Sequence, residues 1–264
     1  MDNNSTQEIH ELVQAQFGAV AAAYTTSVGH ANPDALQQVV ELAQPKPTDR
    51  AIDIATGAGH TALAVAPYVA EMIAYDLTPQ MLEETARNAA ERGLTNLTTQ
   101  QGPAEDLPYP DASFDIVTVR VAPHHFADIK KAVAEMVRIV KPGGRVVVVD
   151  TTVPEDPALD REINYIEKQR DPSHVQNYSP SVWQAMLEGA GLKIEKMWVD
   201  YYTEQGRMNF ATWTGRMRTP AEVVAELDGL FRNASPALQQ ALDIHINGDQ
   251  IEFLLPKVTI GATK

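Results

Sequence analysis

The segment DIATGAGH, residues 53–60, constrains this chain more than any other, because an acidic residue in an apolar run is followed closely by a glycine turn. The apolar residues around Asp53 are typical of a short buried strand. Gly57 and Gly59 permit a tight turn and a close approach of the backbone to a ligand, and helical spacing resumes at Thr61. The segment therefore predicts a strand, a turn and a helix that together border a binding site.

A second acidic residue, Asp76, closes the next apolar run and lies 19 positions beyond Gly57. At the end of a second strand, such a residue can bind both hydroxyls of a ribose. A simpler interpretation is that Asp53 caps the turn and Asp76 caps the helix that begins at Pro79. The two residues in this order favour a nucleoside site over that interpretation.

The charge at this site bears on which nucleoside fits. The sequence GAGHTA also satisfies the loose dinucleotide-binding pattern G-x-G-x-x-G/A. A pyrophosphate, however, needs backbone N–H groups without a neighbouring anion, and Asp53 would direct a carboxylate into the mouth of the loop. S-adenosylmethionine has no phosphate and carries an ammonium and a sulfonium, so a carboxylate there becomes favourable, directly or through water.

Composition removes several other classes of protein. The chain has 264 residues, 44% hydrophobic and 21% charged, as expected of a soluble globular protein. No apolar run is long enough to cross a bilayer, and the polar start MDNNSTQEIHE lacks the features of a signal peptide, so we expect a cytoplasmic protein. The absence of cysteine excludes disulfides and thiol nucleophiles. A net charge of −14 opposes binding to nucleic acid and anionic membranes, which favours a small-molecule partner.

Helical and strand patterns alternate from about residue 50 to residue 152, which predicts crossover units and a mostly parallel sheet. In this part we expect strands at 97–101, 114–119 and 145–150 and helices at 79–92 and 128–140, the second of which ends at KPGG. Beyond it we expect helices at 159–169 and 180–190, a strand at 193–202, a largely helical stretch at 206–246 and a final strand at 251–260.

Four motifs follow one another in the chain: DIATGAGH, AYD ending at Asp76, GPAEDLPYPDASFDIV and VRIVKPGGRVVVVD. On these motifs, from about residue 17 to residue 192, the chain resembles the class I S-adenosylmethionine-dependent methyltransferases, particularly the branch of the ubiquinone and menaquinone C-methyltransferases. The resemblance implies an α/β, Rossmann-like, doubly wound fold with a mostly parallel seven-stranded sheet, an antiparallel last strand and helical cap insertions. It also implies S-adenosylmethionine as cofactor and S-adenosylhomocysteine as product.

The same resemblance implies which residues hold the cofactor. Gly57 and Gly59 would pass beneath the methionine part, and Asp76 would hold the ribose. Ala104 and Glu105 would contact the adenine edge, although a solvated acidic loop accounts for Glu105 almost as well. The predicted cofactor-binding set is Asp53, Gly57, Gly59, Asp76, Leu77, Met81, Ala104, Glu105 and Arg120.

Two positions depart from the usual pattern of the family. Ala55 stands where the first glycine of the loop is frequent, and Pro103 occupies the place of a frequent acidic adenine ligand. Recognition of adenine is therefore expected to depend on the Ala104 amide and the Glu105 side chain.

Catalysis by in-line displacement requires a nucleophile held in a dehydrated pocket, and a general base only when the acceptor must lose a proton. His124 and His125 follow the fourth predicted strand, whose carboxyl end should open toward the substrate, so they are the catalytic candidates. In the alternative, one histidine packs against the sheet edge and the other is solvated. Arg120, at the end of the strand, would reach the methionine part through its carbonyl or its side chain.

Residues 1–48 are predicted to form an N-terminal helical lid, with a helix near 7–24, although packing of this helix on the core is an equally good interpretation. Residues 49–264 would form the methyltransferase core, with cap segments near 153–178 and 205–248 that cover the site. The predicted substrate-binding residues are Tyr24, His174 and Tyr178.

These features predict methyl transfer to a small, apolar or aromatic acceptor at carbon, oxygen or nitrogen. Two alternatives stay open: a nicotinamide-dependent oxidoreductase, against which Asp53 argues, and a non-catalytic nucleoside-binding or sensor protein with the same fold. The motifs contain no evident set of metal ligands, so no metal is expected. The sequence leaves the oligomeric state open, a homodimer included.

Overall fold

A mostly parallel seven-stranded sheet forms the centre of the computed structural model, which describes residues 3–21, 31–200 and 207–264. The strands, in chain order, are β1 (Arg50–Ile54), β2 (Glu71–Asp76), β3 (Leu97–Gln101), β4 (Phe114–Arg120), β5 (Val140–Thr151), β6 (Lys193–Asp200), β7 (Met208–Asn209), β8 (His245–Asn247), β9 (Gln250–Phe253) and β10 (Lys257–Thr263). The large sheet has the order β3-β2-β1-β4-β5-β10-β6, and β7, β9 and β8 form a small second sheet. In the large sheet β10 runs antiparallel to both neighbours and the other pairs are parallel, which confirms the predicted topology.

Helices cover both faces of the sheet. They are α1 (Asn3–Gly18), α2 (Pro33–Ala43), α3 (His60–Val65), α4 (Pro79–Glu91), α5 (Ile129–Ile139), α6 (Pro157–Arg170), α7 (Pro180–Gly189), α8 (Phe210–Arg216), α9 (Ala221–Arg232) and α10 (Pro236–Ala241), with short 3-10 turns at Ala66–Tyr68 and Pro123–His125. Several of them begin at a proline, which suits a first helical position because the N–H there has no partner within the helix. Of the helices described, none combines the length and the apolar character needed to cross a membrane.

The large sheet separates two hydrophobic cores, because alternate side chains of each strand point to opposite faces. Ile52 and Ile54 of β1 pack with α5 and α7 on one face, and Ala51 packs with α2 and α3 on the other. A parallel sheet is buried on both faces, which explains the run of valines from Val146 to Val149 in β5. The arrangement is the predicted doubly wound fold.

A third hydrophobic core joins the segments that follow β5 and β6. Ile163 of α6 belongs to the same cluster as Trp213 of α8, Phe231 of α9 and Phe253 of β9. The Trp213 ring centroid lies 5.0 Å from that of Phe253 and 5.9 Å from that of Phe231. Residues of the two predicted cap segments therefore pack together. The division of the chain into lid, core and caps stays a prediction.

The end of the chain differs from the predicted single strand at 251–260. β9 and β10 belong to different sheets, because Pro256 between them has no N–H for a ladder. The Pro256 carbonyl instead accepts a hydrogen bond from the Thr152 amide at 2.9 Å. β5 also begins earlier than predicted, at Val140, so that KPGG lies within the strand and Gly143 has a φ of +76°.

Candidate active site

A cleft opens at the carboxyl ends of β1, β2 and β4. It has about 920 Å³ of empty space, counted to its open mouth. Ligands of open α/β sheets bind at this edge. The predicted site residues that line the cleft are Asp53, Gly57, Asp76, Leu77, Met81, Ala104, Glu105, Arg120 and His125.

The glycine turn between β1 and α3 needs backbone angles that most residues avoid. Gly57 and Gly59 have φ values of +56° and +87°, in the left-handed region that glycine enters without a Cβ penalty. A Cβ on Gly59 would lie 2.7 Å from the Thr85 Cγ2, whereas one on Gly57 would have no heavy atom within 4 Å. Gly59 therefore holds the turn against α4, and Gly57 leaves open space above the loop. Ala55, which replaces a frequent glycine, also has a positive φ, of 52°.

Asp53 is buried at the base of the cleft and accepts two short hydrogen bonds. The Thr56 hydroxyl donates to Oδ2 at 2.6 Å, and the Thr118 hydroxyl donates to Oδ1 at 2.7 Å. Burial raises the pKa of Asp53 to about 6, although both hydroxyls and the charge of Arg120 oppose the rise. A positive charge placed in the cleft would stabilise the Asp53 carboxylate, because it would offset this loss of hydration.

Asp76 is also buried, and its carboxyl group is fixed by backbone amides. The Gly57 amide donates to Oδ2 and the Thr78 amide donates to Oδ1, both at 2.8 Å. Burial raises the pKa of Asp76, against the effect of these bonds. Asp76 thus ties the glycine turn to the end of β2 and lines the cleft beside Leu77 and Met81.

Glu105 also lines the cleft, and it bridges the start of α5 and helix α1. Its Oε1 accepts from the Asp128 amide at 3.2 Å, and its Oε2 lies 3.3 Å from the His10 Nε2. Burial disfavours the charged carboxylate, but these two hydrogen bonds outweigh burial and lower the pKa of Glu105. Ala104 is buried next to it on the wall. Glu105 is therefore an ordered part of the cleft and not a solvated loop residue.

Helix α1 forms part of the cleft wall through His10, Val13 and Phe17. The Gln14 side chain fixes the helix by donating to the Leu77 carbonyl at 2.9 Å. His10 and Val13 are not among the predicted site residues, although positions 10, 13 and 17 have the spacing of one helical face. The predicted substrate residue Tyr24 lies outside the described residues.

Arg120 ends β4 and also reaches the cleft. Its Nε donates to the Thr61 hydroxyl at 3.0 Å, which joins it to the first turn of α3. Burial lowers the pKa of Arg120, and the nearby Asp53 opposes this shift. Arg120 is thus a partly buried cation beside the first turn of α3.

The two adjacent histidines have different positions. His125 lines the cleft and contacts Phe17 edge to face, with ring centroids 4.9 Å apart. Its Nδ1 lies 3.1 Å from the Ser173 carbonyl oxygen. Burial, followed by the charge of His124, lowers the pKa of His125 to about 3. The His125 ring is therefore neutral at physiological pH.

His124 lies behind the cleft wall and is buried against β5. Its Nδ1 is 2.6 Å from the Asp150 Oδ1 and 3.3 Å from the Thr151 hydroxyl. Burial alone would lower the pKa of His124, but the Asp150 carboxylate outweighs it and raises the pKa. His124 is not among the residues that line the cleft, and its ring centroid lies 4.2 Å from that of His125.

The predicted substrate residues His174 and Tyr178 also lie away from the cleft wall. The His174 Nε2 is 3.0 Å from the Asn164 Oδ1, and burial lowers the pKa of His174 to about 2. Tyr178 packs edge to face on the buried Trp183, with centroids 5.8 Å apart, because its ring joins the hydrophobic core under α7. Within the described part of the chain, no group of His, Asp and Glu side chains is placed to hold a metal ion.

The sequence of this chain is similar to those of known methyltransferases. A family model described as a methyltransferase domain matches residues 52–148. The chain is 38% identical over 253 residues to the uncharacterized methyltransferase YcgJ of Bacillus subtilis, covering 95% of this chain and 98% of the relative. It is 38% identical over 120 residues to demethylmenaquinone methyltransferase of Thermus thermophilus, covering 45% of this chain and 54% of that relative.

The fold is also similar to that of a solved structure. The crystal structure of B. subtilis YcgJ matches with a TM-score of 0.81, covering 88% of this chain and 98% of that one at 38% identity. The near-complete coverage extends the similarity beyond the matched domain to the cap segments. With its sheet order and its acidic glycine turn, the chain belongs to the class I S-adenosylmethionine-dependent methyltransferases.

Proposed function

We propose that this methyltransferase binds S-adenosylmethionine in the cleft and transfers its methyl group to a small, apolar or aromatic acceptor. The observation that carries the proposal is the pairing of two buried carboxyl groups, Asp53 and Asp76, with an open glycine turn on one cleft wall. A phosphate would be repelled there, whereas an onium group would be attracted.

The residues present fit an adenosyl donor. Gly57 leaves open space for a ligand above the turn, and Asp76 presents its carboxyl group at the end of β2, where a ribose is bound in related folds. Leu77 and Met81 supply an apolar contact for the ribose and adenine. Ala104 and Glu105 would meet the adenine edge, and Arg120 is near enough to the turn to hold the methionine carboxylate.

Bound S-adenosylmethionine supplies an electrophilic methyl group on a sulfonium. The protein contributes orientation and exclusion of water, which are the main sources of rate in such a displacement. The acceptor would lie between α1 and the residues that follow β4, where the wall is formed by Val13, Phe17, Val121, Ala122 and Phe126. This part of the wall is apolar, and His10 and His125 are polar groups beside it.

The relatives named demethylmenaquinone methyltransferase support an aromatic acceptor of this kind. Their names describe methylation of a ring compound with apolar character, which suits a wall of phenylalanine, valine and alanine. The acceptor proposed for this chain is therefore a small ring compound, methylated at carbon, oxygen or nitrogen.

Calorimetry with S-adenosylhomocysteine and with NAD tests the cofactor assignment. We expect S-adenosylhomocysteine to bind and NAD to give no heat, since the carboxyl groups oppose its pyrophosphate. Binding of NAD in preference would overturn the proposal and favour an oxidoreductase. Transfer of a radiolabelled methyl group to a panel of phenols and quinols tests turnover, and binding without any transfer would favour a non-catalytic nucleoside-binding protein.

A further inference from the structure

Two partly buried cations, Lys257 at the start of β10 and Arg216 at the end of α8, have neither a hydrogen bond nor an ion pair of the side chain among the residues that the structure describes. Every other partly buried lysine or arginine of the same residues has at least one such partner. Charged side chains are rarely buried without a partner. The chain has 35 acidic and only 21 basic residues, so this cation pair is not explained by a shortage of anions.

Strand pairing places Lys257 at the edge of the sheet where the cleft opens. β10 is antiparallel to β5, and Lys257 pairs with Thr151 at the carboxyl end of β5. On the other side of β5, Arg120 pairs with Val149. Val149 and Thr151 are two residues apart and therefore belong to the same face of the strand. Lys257 and Arg120 thus occupy neighbouring positions along this edge.

Helix α8 brings Arg216 to the same region. Trp213 of α8 packs on Phe253 of β9, with ring centroids 5.0 Å apart. Because residues three apart are neighbours on the surface of a helix, Arg216 lies close to the junction of β9 and β10. Phe253 precedes Lys257 by four residues, and the charge of Arg216 acts on Lys257. The two cations therefore form one positively charged region.

This region adjoins the cleft, although neither cation is among the residues that line it. Arg120 belongs to both, because it lines the cleft and its charge acts on Lys257. The end of α8 also contacts α1, since the Gln16 side chain donates to the Met217 carbonyl at 2.8 Å. An anionic group that extends past Arg120 would therefore approach the cation pair.

The amine of Lys257 is charged at neutral pH. Burial lowers the pKa of Lys257 to about 8, and the surrounding charges act in both directions. The cations that lower it are Arg120 and Arg216, and the carboxylates that raise it are Asp150 and Asp200. At pH 7 the amine is still mostly protonated, and an added anion would compensate for its loss of hydration.

The local charges leave a surplus of one positive charge. Asp150 is paired with His124, whose Nδ1 lies 2.6 Å from its Oδ1. Arg120 is balanced by the nearby Asp53. The cation pair is then opposed by the single carboxylate of Asp200. A surplus of one charge matches a carboxylate better than a doubly charged phosphate.

We propose that Lys257 and Arg216 bind a carboxylate of the methyl acceptor, which is therefore a small aromatic acid. The proposal rests on the proposed function and narrows its substrate class. A ring placed against Val121 and Ala122 of the apolar wall would direct its carboxylate past Arg120, the residue before them in the chain, toward the cation pair. Arginine offers a planar pair of donors to a carboxylate, and lysine adds a compact charge.

The experiment is calorimetry with benzoate and benzamide on the full chain saturated with S-adenosylhomocysteine. The two probes share a ring and a similar shape, and only benzoate is charged. We expect benzoate to bind at least about tenfold more tightly than benzamide. Saturation with S-adenosylhomocysteine occupies the site of the methionine carboxylate, which is the other anion expected near Arg120.

Substitutions in the cation pair test its role directly. Lys257→Gln and Arg216→Gln should each weaken benzoate binding about tenfold and leave benzamide binding unchanged. Lys257→Arg, which keeps the charge, should bind benzoate like the unmodified protein. The matched control is Lys193→Gln, the same change at the exposed first residue of β6, and it should not alter the affinity for either probe.

Equal affinity for benzoate and benzamide, or unchanged benzoate affinity in either glutamine variant of the pair, would overturn the proposal. Loss of benzoate binding on saturation with S-adenosylhomocysteine would also overturn it, because the cations would then hold the methionine carboxylate. The comparison of the two probes uses the unmodified protein, so it decides even if a variant does not fold. Failure of the proposed function would appear instead as an absence of S-adenosylhomocysteine binding, and the two probes would then still be compared without that ligand.

Discussion

The Nδ1 of His124 lies 2.6 Å from the Oδ1 of Asp150, and both side chains are buried at the end of β5. This contact stabilises a positive charge on His124 beside the ring of His125, whose centroid is 4.2 Å away. Only His125 faces the cleft. We therefore expect His124 to set the electrostatic environment and His125 to meet the ligand.

Replacement of His124 tests this division of roles. In His124→Asn, the pKa of His125 should rise from about 3 toward its ordinary value of 6.5, because a positive neighbour is removed. An NMR titration of the His125 ring measures the pKa, and His245→Asn, at an exposed position, serves as control. A His125 pKa that stays near 3 in His124→Asn would show that burial alone sets it.

The buried neutral histidines predict loss of stability in acid. The pKa of His174 is lowered to about 2 and that of His125 to about 3, from 6.5. Below pH 6.5 the unfolded chain binds protons that the folded chain does not, so each histidine lowers the free energy of unfolding by about 1.4 kcal/mol for each pH unit of acidification.

His174→Gln, which can still donate to Asn164, should therefore lose less stability than the unmodified protein between pH 6 and pH 4. Urea denaturation at several pH values measures the difference. Over part of this pH range, protonation of Asp53 raises the free energy of unfolding as the pH falls. This effect is the same in both proteins, so the difference between them reports on His174. Equal slopes would contradict the predicted contribution.

A methyl group at Gly59 should disrupt the glycine turn. Its Cβ would lie 2.7 Å from the Thr85 Cγ2, and the φ of +87° is unfavourable for alanine. We expect Gly59→Ala to lower the free energy of unfolding by about 1–3 kcal/mol and to abolish binding of S-adenosylhomocysteine.

Gly229→Ala is the matched control for Gly59→Ala. Gly229 lies within α9, and an added Cβ there meets no heavy atom within 4 Å. Alanine should raise the free energy of unfolding by about 0.5–1 kcal/mol and leave ligand binding unchanged. Denaturation and calorimetry on both variants measure the two effects, and intact binding by Gly59→Ala would count against a role for this turn in the cofactor site.

Helix α1 acts as part of the binding site only if its cleft-facing residues influence affinity. Phe17→Ala removes a ring that lines the cleft, whereas Leu12→Ala changes a residue of the same helix that is 43% exposed. We expect Phe17→Ala to weaken S-adenosylhomocysteine binding by about tenfold and Leu12→Ala to have no effect in calorimetry. A lower melting temperature with unchanged affinity in Phe17→Ala would indicate a helix that is merely packed on the core.

The regular parts of the fold could be predicted from local sequence. The strand predicted at 97–101 coincides with β3, and helices begin at Pro79 and Pro180 as expected. In these segments hydrophobic periodicity and proline positions both favour the same structure. The prediction of one strand at 251–260 was wrong, because β9 and β10 lie on either side of Pro256 in different sheets. Hydrophobic periodicity does not show to which sheet a strand belongs.

Residues of the cleft wall could be predicted where they lie at or near the carboxyl ends of strands, as Asp53, Asp76 and His125 do. Contacts between distant parts of the chain were harder to predict. His10 meets Glu105 across 95 positions, and Asp150 meets His124 across 26. Such contacts depend on how helices and loops dock on the sheet, which a single sequence does not specify.

Asp53 allows binding and stability to be separated. Burial raises its pKa from 3.8 to about 6, so its favourable contribution to folding is complete below pH 3.8 and is lost as the pH rises through 6. Asn at this position would still accept from Thr118. At pH 8 the free energy of unfolding of Asp53→Asn should therefore be about 3 kcal/mol higher than that of the unmodified protein. Urea denaturation measures this difference. Lower stability at pH 8 would contradict this assignment.

The most direct test of the account is calorimetry of S-adenosylmethionine binding at pH 8 by the unmodified protein, Asp53→Asn and Asp76→Asn. We predict at least about tenfold weaker binding by each variant, with Asp53→Asn folded and no less stable than the unmodified protein. Unchanged affinity in both variants would contradict the claim that acidic side chains at the glycine turn select a positively charged adenosyl donor.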